Sequence, residues 1–216
     1  MGTTNVKIGP PTGNLQDYAD DFTCSHCPNG SHCLKGFCYV SAALKAHDRV
    51  ALEPILADSK YRACLWNVNG KNRSALHLAA QFGLTWIVEP LLNLGMDVNI
   101  TDYNSNTPLI LAAIHSHRDA ANTLIEKGAY INHQSVNGRT ALHESAFHGR
   151  IEIVQLLIDW GKEKRCLEVN VHDNLSWTPL DLALQVRHRS VATELIDHGA
   201  EVGDRDIKFL SNQSLS

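Results

Sequence analysis

The chain has 216 residues, of which 44% are hydrophobic and 19% are charged, and its formal net charge at pH 7 is -4. This length and apolar content suffice for one large folded domain or two small ones. The slight negative charge disfavours nucleic acid as a partner, because phosphate binding usually needs clustered Lys and Arg. No apolar stretch reaches the roughly 18 residues of a membrane span, and residues 1–20 lack the apolar core of a signal peptide. We therefore expect a cytoplasmic or nuclear protein without a membrane partner.

The N-terminal part of the chain is predicted to be a flexible arm, residues 1–22, followed by a Cys/His-rich segment, residues 23–38. This segment contains CSHCPNGSHCLKGFC, whose spacing C-x2-C-x5-C-x4-C can close around a tetrahedral zinc ion. In a second arrangement His32 replaces Cys33; this set resembles a zinc knuckle, although its last interval is one residue too long. The predicted ligands are Cys24, Cys27, Cys33 and Cys38, with His32 as the alternative.

Three interpretations of the cysteines stay open, namely a structural zinc, free thiols in a flexible arm, and disulfide or redox chemistry. Disulfides are disfavoured because nothing in the sequence directs the chain to an oxidising compartment. If zinc binds, we expect it to fold a short N-terminal cap, since metal binding in so small a segment supplies folding free energy. A knuckle would also allow binding of single-stranded nucleic acid or a second protein. Between residues 23 and 44, however, Lys35 is the only Lys or Arg.

A short sequence block recurs through the rest of the chain. It reads SALHLAA from Ser74, TPLILAA from Thr107, TALHESA from Thr140 and TPLDLAL from Thr178, at intervals of 33, 33 and 38 residues. A second apolar run with helical spacing follows each block and approaches a glycine, where a helix can end in the left-handed conformation. The pattern predicts two short helices and a turn per unit, and the longer last interval predicts a charged loop within residues 160–170. The predicted helix ends are Gly95, Gly128, Gly161 and Gly199.

The blocks resemble the T-P-L-H-x-A box of the ankyrin-repeat family, whose period is 33 residues. The resemblance covers four repeats in residues 69–203 and a degenerate capping repeat in residues 39–68, leaving residues 204–216 as a tail. It implies an all-α ankyrin solenoid of about five helix-turn-helix repeats with connecting turn fingers. It further implies a monomeric adaptor or inhibitor that binds another protein, needs no cofactor and has no small-molecule substrate.

The stretch TALHESAFHG, residues 140–149, is close in spelling to the zinc-protease signature H-E-x-x-H. Its histidines, His143 and His148, are five residues apart, which is about 140° around a helix, so one regular helix cannot bring both to a metal ion. In the ankyrin family, a histidine at the position of His143 is structural and bonds within the turn. We therefore expect no catalytic residue and no enzyme.

The predicted partner site lies on the turn tips and the inner helices, where ankyrin repeats bind. Aromatic and arginine side chains on such a surface often carry most of the binding energy. For Trp177 the alternative is a side chain lying flat over its own repeat, and for Glu144 it is a tolerated substitution at the edge. The predicted contact residues are Phe82, Tyr103, Asn104, His115, Arg139, Glu144, His148 and Trp177.

The resemblance also implies a modification. In some ankyrin proteins an oxygenase hydroxylates the asparagine of a D-V-N type turn that follows a leucine with seven residues between them. Asn99 follows Leu91, and Asn132 follows Leu124, at that spacing. Both are predicted substrates, with a plain structural asparagine as the favoured alternative.

Overall fold

The computed structural model describes residues 34–57, 63–66 and 71–203 of the chain. The chain divides into two compact units, Met1–Ala75 and Leu76–Ser216. All regular structure in the described ranges is α-helical, as the repeat pattern predicts. None of those helices is long and apolar enough to cross a membrane. The predicted arm, the tail and four of the predicted zinc ligands, Cys24, Cys27, His32 and Cys33, lie outside the described residues.

The first unit contains three helices, α1 (Leu34–Lys45), α2 (Arg49–Ala57) and α3 (Ala63–Trp66). Helix α1 includes Cys38, so it crosses the boundary predicted between residues 38 and 39, and it packs against α2 and α3. The Asp48 carboxylate accepts a hydrogen bond from the backbone amide of Ala51 at 3.0 Å, which caps the start of α2. The buried apolar side chains of this unit include Val40, Ala43, Leu44, Leu52, Ile55 and Leu65.

The second unit is built from pairs of antiparallel helices, one pair per repeat, as the sequence predicts. The first helix of each pair is inner and the second is outer. Helices α6, α8 and α10 pack one on the next, and α5, α7, α9 and α11 form a second row in the same way. The helices are α4 (Ala75–Phe82), α5 (Thr85–Asn93), α6 (Pro108–His115), α7 (Arg118–Glu126), α8 (Ala141–Phe147), α9 (Ile151–Lys164), α10 (Pro179–Gln185) and α11 (Arg189–Asp197).

Threonine at the start of three of the four boxes caps an inner helix. The side chains of Thr107, Thr140 and Thr178 each accept a hydrogen bond from the backbone amide three residues later. Such a bond satisfies one of the backbone donors that have no partner inside the helix. Proline at the next position, Pro108 or Pro179, suits the first turn because its missing N–H had no acceptor there.

Three of the four predicted glycine helix ends are confirmed and one is wrong. Gly95, Gly128 and Gly199 follow their helices with φ of 92°, 93° and 90°. Gly161 instead lies inside α9, which continues to Lys164 and ends at Arg165 with φ of 52°. A side chain at Gly161 would collide with Leu167, so the glycine allows a close approach rather than a helix end. The inserted residues thus lengthen α9 and form only a short loop.

Candidate functional site

Three turn fingers connect the repeats of the second unit, at residues 102–106, 135–139 and 173–177. In each finger the first amide donates to the carbonyl of the fifth residue at 2.9–3.0 Å, and the fourth amide donates back to the first carbonyl at 2.8–2.9 Å. The fourth residue adopts a left-handed conformation, with φ of 54° at Ser105, 75° at Gly138 and 59° at Ser176. The fingers are therefore closed, hydrogen-bonded turns of one design.

Backbone hydrogen bonds also join each finger to the next. The amide of Val136 donates to the carbonyl of Asn104 at 2.9 Å, and the amide of Asn174 donates to that of Asn137 at 3.0 Å. The Asn174 side chain adds a bond to the Val136 carbonyl at 2.8 Å. The three fingers consequently form a continuous row whose tips cannot move independently.

The finger tips carry exposed apolar side chains. Tyr103 is 70% exposed, Val136 58% and Leu175 71%. The sequence predicted Tyr103 and its neighbour Asn104, which is exposed as well. It missed Val136 and Leu175, although each is an isolated aliphatic residue between turn-forming residues, which was the available signal.

Trp177 is less exposed than these tip residues. Its backbone takes part in closing the finger, and partner contact by its side chain stays a prediction. Its amide donates to the Asp173 carboxylate at 3.0 Å, and its carbonyl accepts from the Asp173 amide at 2.9 Å. The same carbonyl lies 3.1 Å from Nε2 of His143.

His143 is fully buried and holds two repeats together. Its Nδ1 accepts a hydrogen bond from the Thr140 amide at 3.2 Å, while its Nε2 faces the carbonyl of Trp177, which can only accept. The ring is therefore neutral with its proton on Nε2, and burial lowers its pKa below the ordinary value of 6.5. The predicted structural role of His143 is confirmed. In the described residues no group of three or more His, Cys, Asp or Glu is placed to hold a metal ion.

A cluster of charged and aromatic side chains lies between the fingers and α8. Arg139 donates from Nε to the Asp173 carboxylate at 3.2 Å, and its guanidinium carbon lies 5.1 Å from the centre of the Phe147 ring. The Glu144 carboxylate is 3.6 Å from Arg139 and 3.6 Å from Nε2 of His148. We call these five residues, Arg139, Glu144, Phe147, His148 and Asp173, the Arg139 cluster. The sequence predicted three of them and missed Phe147 and Asp173.

The cluster holds Asp173 ionised and His148 neutral near pH 7. Burial alone would raise the pKa of Asp173, but hydrogen bonds from the amides of Trp177 and Leu175 and the Arg139 guanidinium outweigh it, so the pKa is lowered. Burial lowers the pKa of His148, against the opposing effect of the Glu144 carboxylate. The cluster thus combines one cation with two carboxylates.

The remaining predicted contact residues lie at the ends of other inner helices. Phe82 ends α4 and His115 ends α6; in the repeat register both correspond to His148, which directly follows the end of α8 at Phe147. The His115 ring stacks on that of His117 at 6.4 Å between centroids. His117 in turn reaches the Gln81 carbonyl of the preceding repeat at 2.9 Å. Partner contact by Phe82 and His115 stays a prediction.

The two predicted hydroxylation sites are structural bridges between repeats. In each, the side-chain NH2 donates to a backbone carbonyl of the next repeat and the side-chain oxygen accepts from a backbone amide. Asn170 makes the same pair of bonds and was missed. Hydroxylation stays a prediction. The bridges join Asn99 to Gly128 and Tyr130, Asn132 to Cys166 and Glu168, and Asn170 to Gly199 and Glu201, at 2.6–3.3 Å.

A separate groove of about 500 Å³ lies where α9 has been lengthened. Its lining includes Ile125 and Tyr130, Trp160 and Lys164, and Cys166. Tyr130 is 66% exposed, close to the value for the finger tips, but belongs to none of the fingers.

Sequence comparisons agree with this architecture. A sequence model of the family described as "Ankyrin repeats (3 copies)" matches residues 41–135 and 130–206. Similar proteins include Tyrosine-protein kinase HTK16 of Hydra vulgaris, 33% identical over 132 residues, which are 58% of this chain and 16% of that protein. Ankyrin repeat and SOCS box protein 3 of Bos taurus is 38% identical over 112 residues, 51% of this chain and 20% of that protein.

The human Transient receptor potential cation channel subfamily A member 1 is 30% identical over 131 residues, 59% of this chain and 12% of that protein. The matched part thus spans only 12% to 20% of the length of these three relatives. The family match, the recurring box, the capped inner helices and the turn fingers together identify the repeat in this chain. The chain belongs to the ankyrin-repeat family.

Proposed function

We propose that the chain is a protein-recognition module of the adaptor or inhibitor type. It binds a protein partner through the finger face, which we define as the three turn fingers together with the Arg139 cluster. Ankyrin repeats are generally protein-interaction modules, which supports the coarse assignment. The more specific assignment, of binding to the finger face, rests on the row of exposed apolar tips at Tyr103, Val136 and Leu175.

The tips are suited to binding for two physical reasons. An apolar side chain that is mostly in water contributes little to the stability of its own fold, so burial against a partner is where it gains free energy. The turns that carry these tips are already closed by hydrogen bonds and tied to one another, so little backbone entropy is lost on association. Beside them, Arg139 and Phe147 are of residue types enriched at protein interfaces, and arginine is among those that concentrate binding energy.

No catalytic activity is proposed. The kinase and channel named among the relatives are much longer than the matched repeats, and their activities are not transferred to this chain. Zinc binding in residues 24–38, with nucleic acid or a second protein as its partner, stays an alternative that rests on cysteine spacing alone. A cytoplasmic or nuclear location also stays a prediction.

Affinity purification from cells with quantitative mass spectrometry tests the proposal. The variant carries Tyr103→Ser, Val136→Ser and Leu175→Ser, which remove the apolar tips without touching buried side chains. The control is Tyr130→Ser, with similar exposure but outside the fingers. We expect partners of the native chain and the control to be depleted about tenfold or more with the triple variant, since each lost anchor can cost about 1 kcal/mol or more.

Circular dichroism must show that the triple variant keeps its helices and its melting temperature within a few degrees of the native chain. An unchanged set of partners with a folded triple variant would place binding elsewhere and contradict the proposed function.

A further inference from the structure

We propose that the finger face recognises a basic side chain of its protein partner, a Lys or an Arg, at Glu144. The inference rests on the proposed function and specifies the chemistry of that same surface.

Glu144 occupies a position that the other repeats fill with leucine. The corresponding residues Leu78, Leu111 and Leu182 are buried, with at most 3% of their surface exposed. A buried leucine contributes about 2 kcal/mol through the hydrophobic effect, whereas a carboxylate at the same position must be partly removed from water. Only 14% of the Glu144 side chain is exposed. The hydrophobic contribution that leucine makes in the other repeats is therefore absent at Glu144.

Within the described part of the chain, the Glu144 carboxylate accepts no hydrogen bond from a cationic side chain. Its nearest cationic atom, in Arg139, is 3.6 Å away, and so is Nε2 of His148; both lie beyond hydrogen-bonding distance. A carboxylate can accept about four hydrogen bonds. Glu144 thus retains accepting capacity, and its partial exposure leaves that capacity accessible from the finger face.

The surrounding cations make their shorter contacts with other groups. Arg139 gives its Nε to Asp173 and lies over the Phe147 ring. Arg150 donates its Nε to the Ile114 carbonyl at 3.2 Å, and no ion pair within the described residues joins it to Glu144. Glu144 therefore shares the Arg139 guanidinium with Asp173: its ion pair, at 3.6 Å, is the longer of the two, and no cation within the described residues donates a hydrogen bond to it.

A partner cation satisfies these conditions better than a neutral donor. An ammonium or guanidinium group would place a charge-assisted hydrogen bond on a poorly hydrated carboxylate, and such bonds are about twice as strong as neutral ones. Leaving a partly buried carboxylate without compensation carries a cost that a neutral hydroxyl or amide would only partly remove. The exposed apolar tips beside the cluster would pack against the residues that flank the basic side chain.

Selection from a phage-displayed library of random dodecapeptides on the purified full chain tests the inference. We expect the selected peptides to share a Lys or Arg at one position. Synthetic peptides with that residue changed to Met should bind the native chain about tenfold more weakly or worse. On the Glu144→Leu variant the same change should alter affinity less than about threefold, because the two residues are coupled through one contact.

Glu144→Leu restores the residue of the other repeats, so we expect it to fold with equal or higher stability. Glu144→Gln keeps the side-chain shape and should lose the preference for the basic residue in the same way. The inference is overturned if the selection yields no peptide, if the peptides share no basic residue, or if their preference persists on Glu144→Leu. Peptides that lose binding to the triple finger variant but ignore both Glu144 variants would support the proposed function and refute this inference alone. Peptides that ignore all these variants would refute both.

Discussion

The N-termini of α8 and α10 are capped by the same pattern of hydrogen bonds, but with different side chains at the third helical position. In both, a threonine hydroxyl accepts from the third helical amide, at 3.4 Å for Thr140 and 3.1 Å for Thr178. In both, the side chain of that third residue accepts from the threonine amide, His143 at 3.2 Å and Asp181 at 2.8 Å. Only His143 has a second ring nitrogen, which reaches the Trp177 carbonyl of the next repeat. The same cap is therefore local in α10 and also joins two repeats in α8.

One further repeat makes the same contact between repeats, and it also uses a histidine. His77 lies at the box position of His143, and its Nε2 lies 3.0 Å from the Asn106 carbonyl of the next finger. Ile110 fills that position in α6 and cannot make this bond to the finger 135–139, while Nε2 of His133 lies 3.0 Å from the Ser105 carbonyl in the same finger as Asn106. Histidines thus reach backbone carbonyls in two of the three fingers, two of them in the finger 102–106 and one in the finger 173–177.

Replacing His143 with alanine should have the largest effect. It removes a buried ring and leaves both the Thr140 amide and the Trp177 carbonyl without the ring as a partner, so we expect a loss of about 3 kcal/mol in the free energy of unfolding. Asp181→Ala removes only a cap and should cost about 1 kcal/mol. Denaturation by urea, followed by circular dichroism, measures both. Equal losses in the two variants would show that the bond to Trp177 contributes nothing.

Replacing His143 with asparagine should have an intermediate effect. The shorter amide can still accept from the Thr140 amide, but it does not reach the Trp177 carbonyl. We expect it to recover about 1 kcal/mol of the alanine loss, which corresponds to the cap alone. The same urea titration checks this. If asparagine is as costly as alanine, the cap contribution of His143 is negligible and the whole loss belongs to the ring's burial and its contact with the next repeat.

The smallest effect concerns pH. Burial keeps the pKa of His143 in the folded protein below its ordinary value of 6.5, so the unfolded chain binds the proton more readily. The stability is therefore complete above about pH 6.5 and decreases as the pH falls below it, by at most about 1.4 kcal/mol per unit for one group.

Urea midpoints at about pH 7.5 and about pH 5.5 should consequently differ more for the native chain than for His143→Asn. His148, whose pKa is also lowered but whose ring is more exposed, leaves part of the difference in both proteins. Asp181→Ala, which retains both histidines, serves as the control and should keep the native pH dependence. Identical differences in the native chain and His143→Asn would contradict the assignment to His143.

The sequence predicted the parts of the structure that depend on local pattern. The boxes at Thr107, Thr140 and Thr178 gave the inner helices and their caps, because capping depends on residues three positions apart. Gly161 was misjudged because its reason, the approach of Leu167, becomes visible only after α9 is packed. A glycine that ends a helix and one that admits a neighbour are identical in sequence.

The candidate site was predicted less completely for the same reason. Arg139, Glu144 and His148 are near one another in sequence, so the repeat pattern alone predicts that they lie on the same part of the surface. Asp173 joins them from 34 residues away, through a bond that only the stacking of repeats creates. The exposure of Val136 and Leu175 depends on what the fold leaves uncovered, which composition does not specify.

The hydrogen bonds between neighbouring fingers also set a distance scale. Since Val136 is held to Asn104, and Asn174 to Asn137, each tip is displaced from the last by one repeat and not by a flexible linker. The row of fingers therefore presents its anchoring side chains at fixed intervals of one repeat. A partner whose anchoring side chains match that spacing gains every contact at once, and one with the same residues at another spacing gains only one of them.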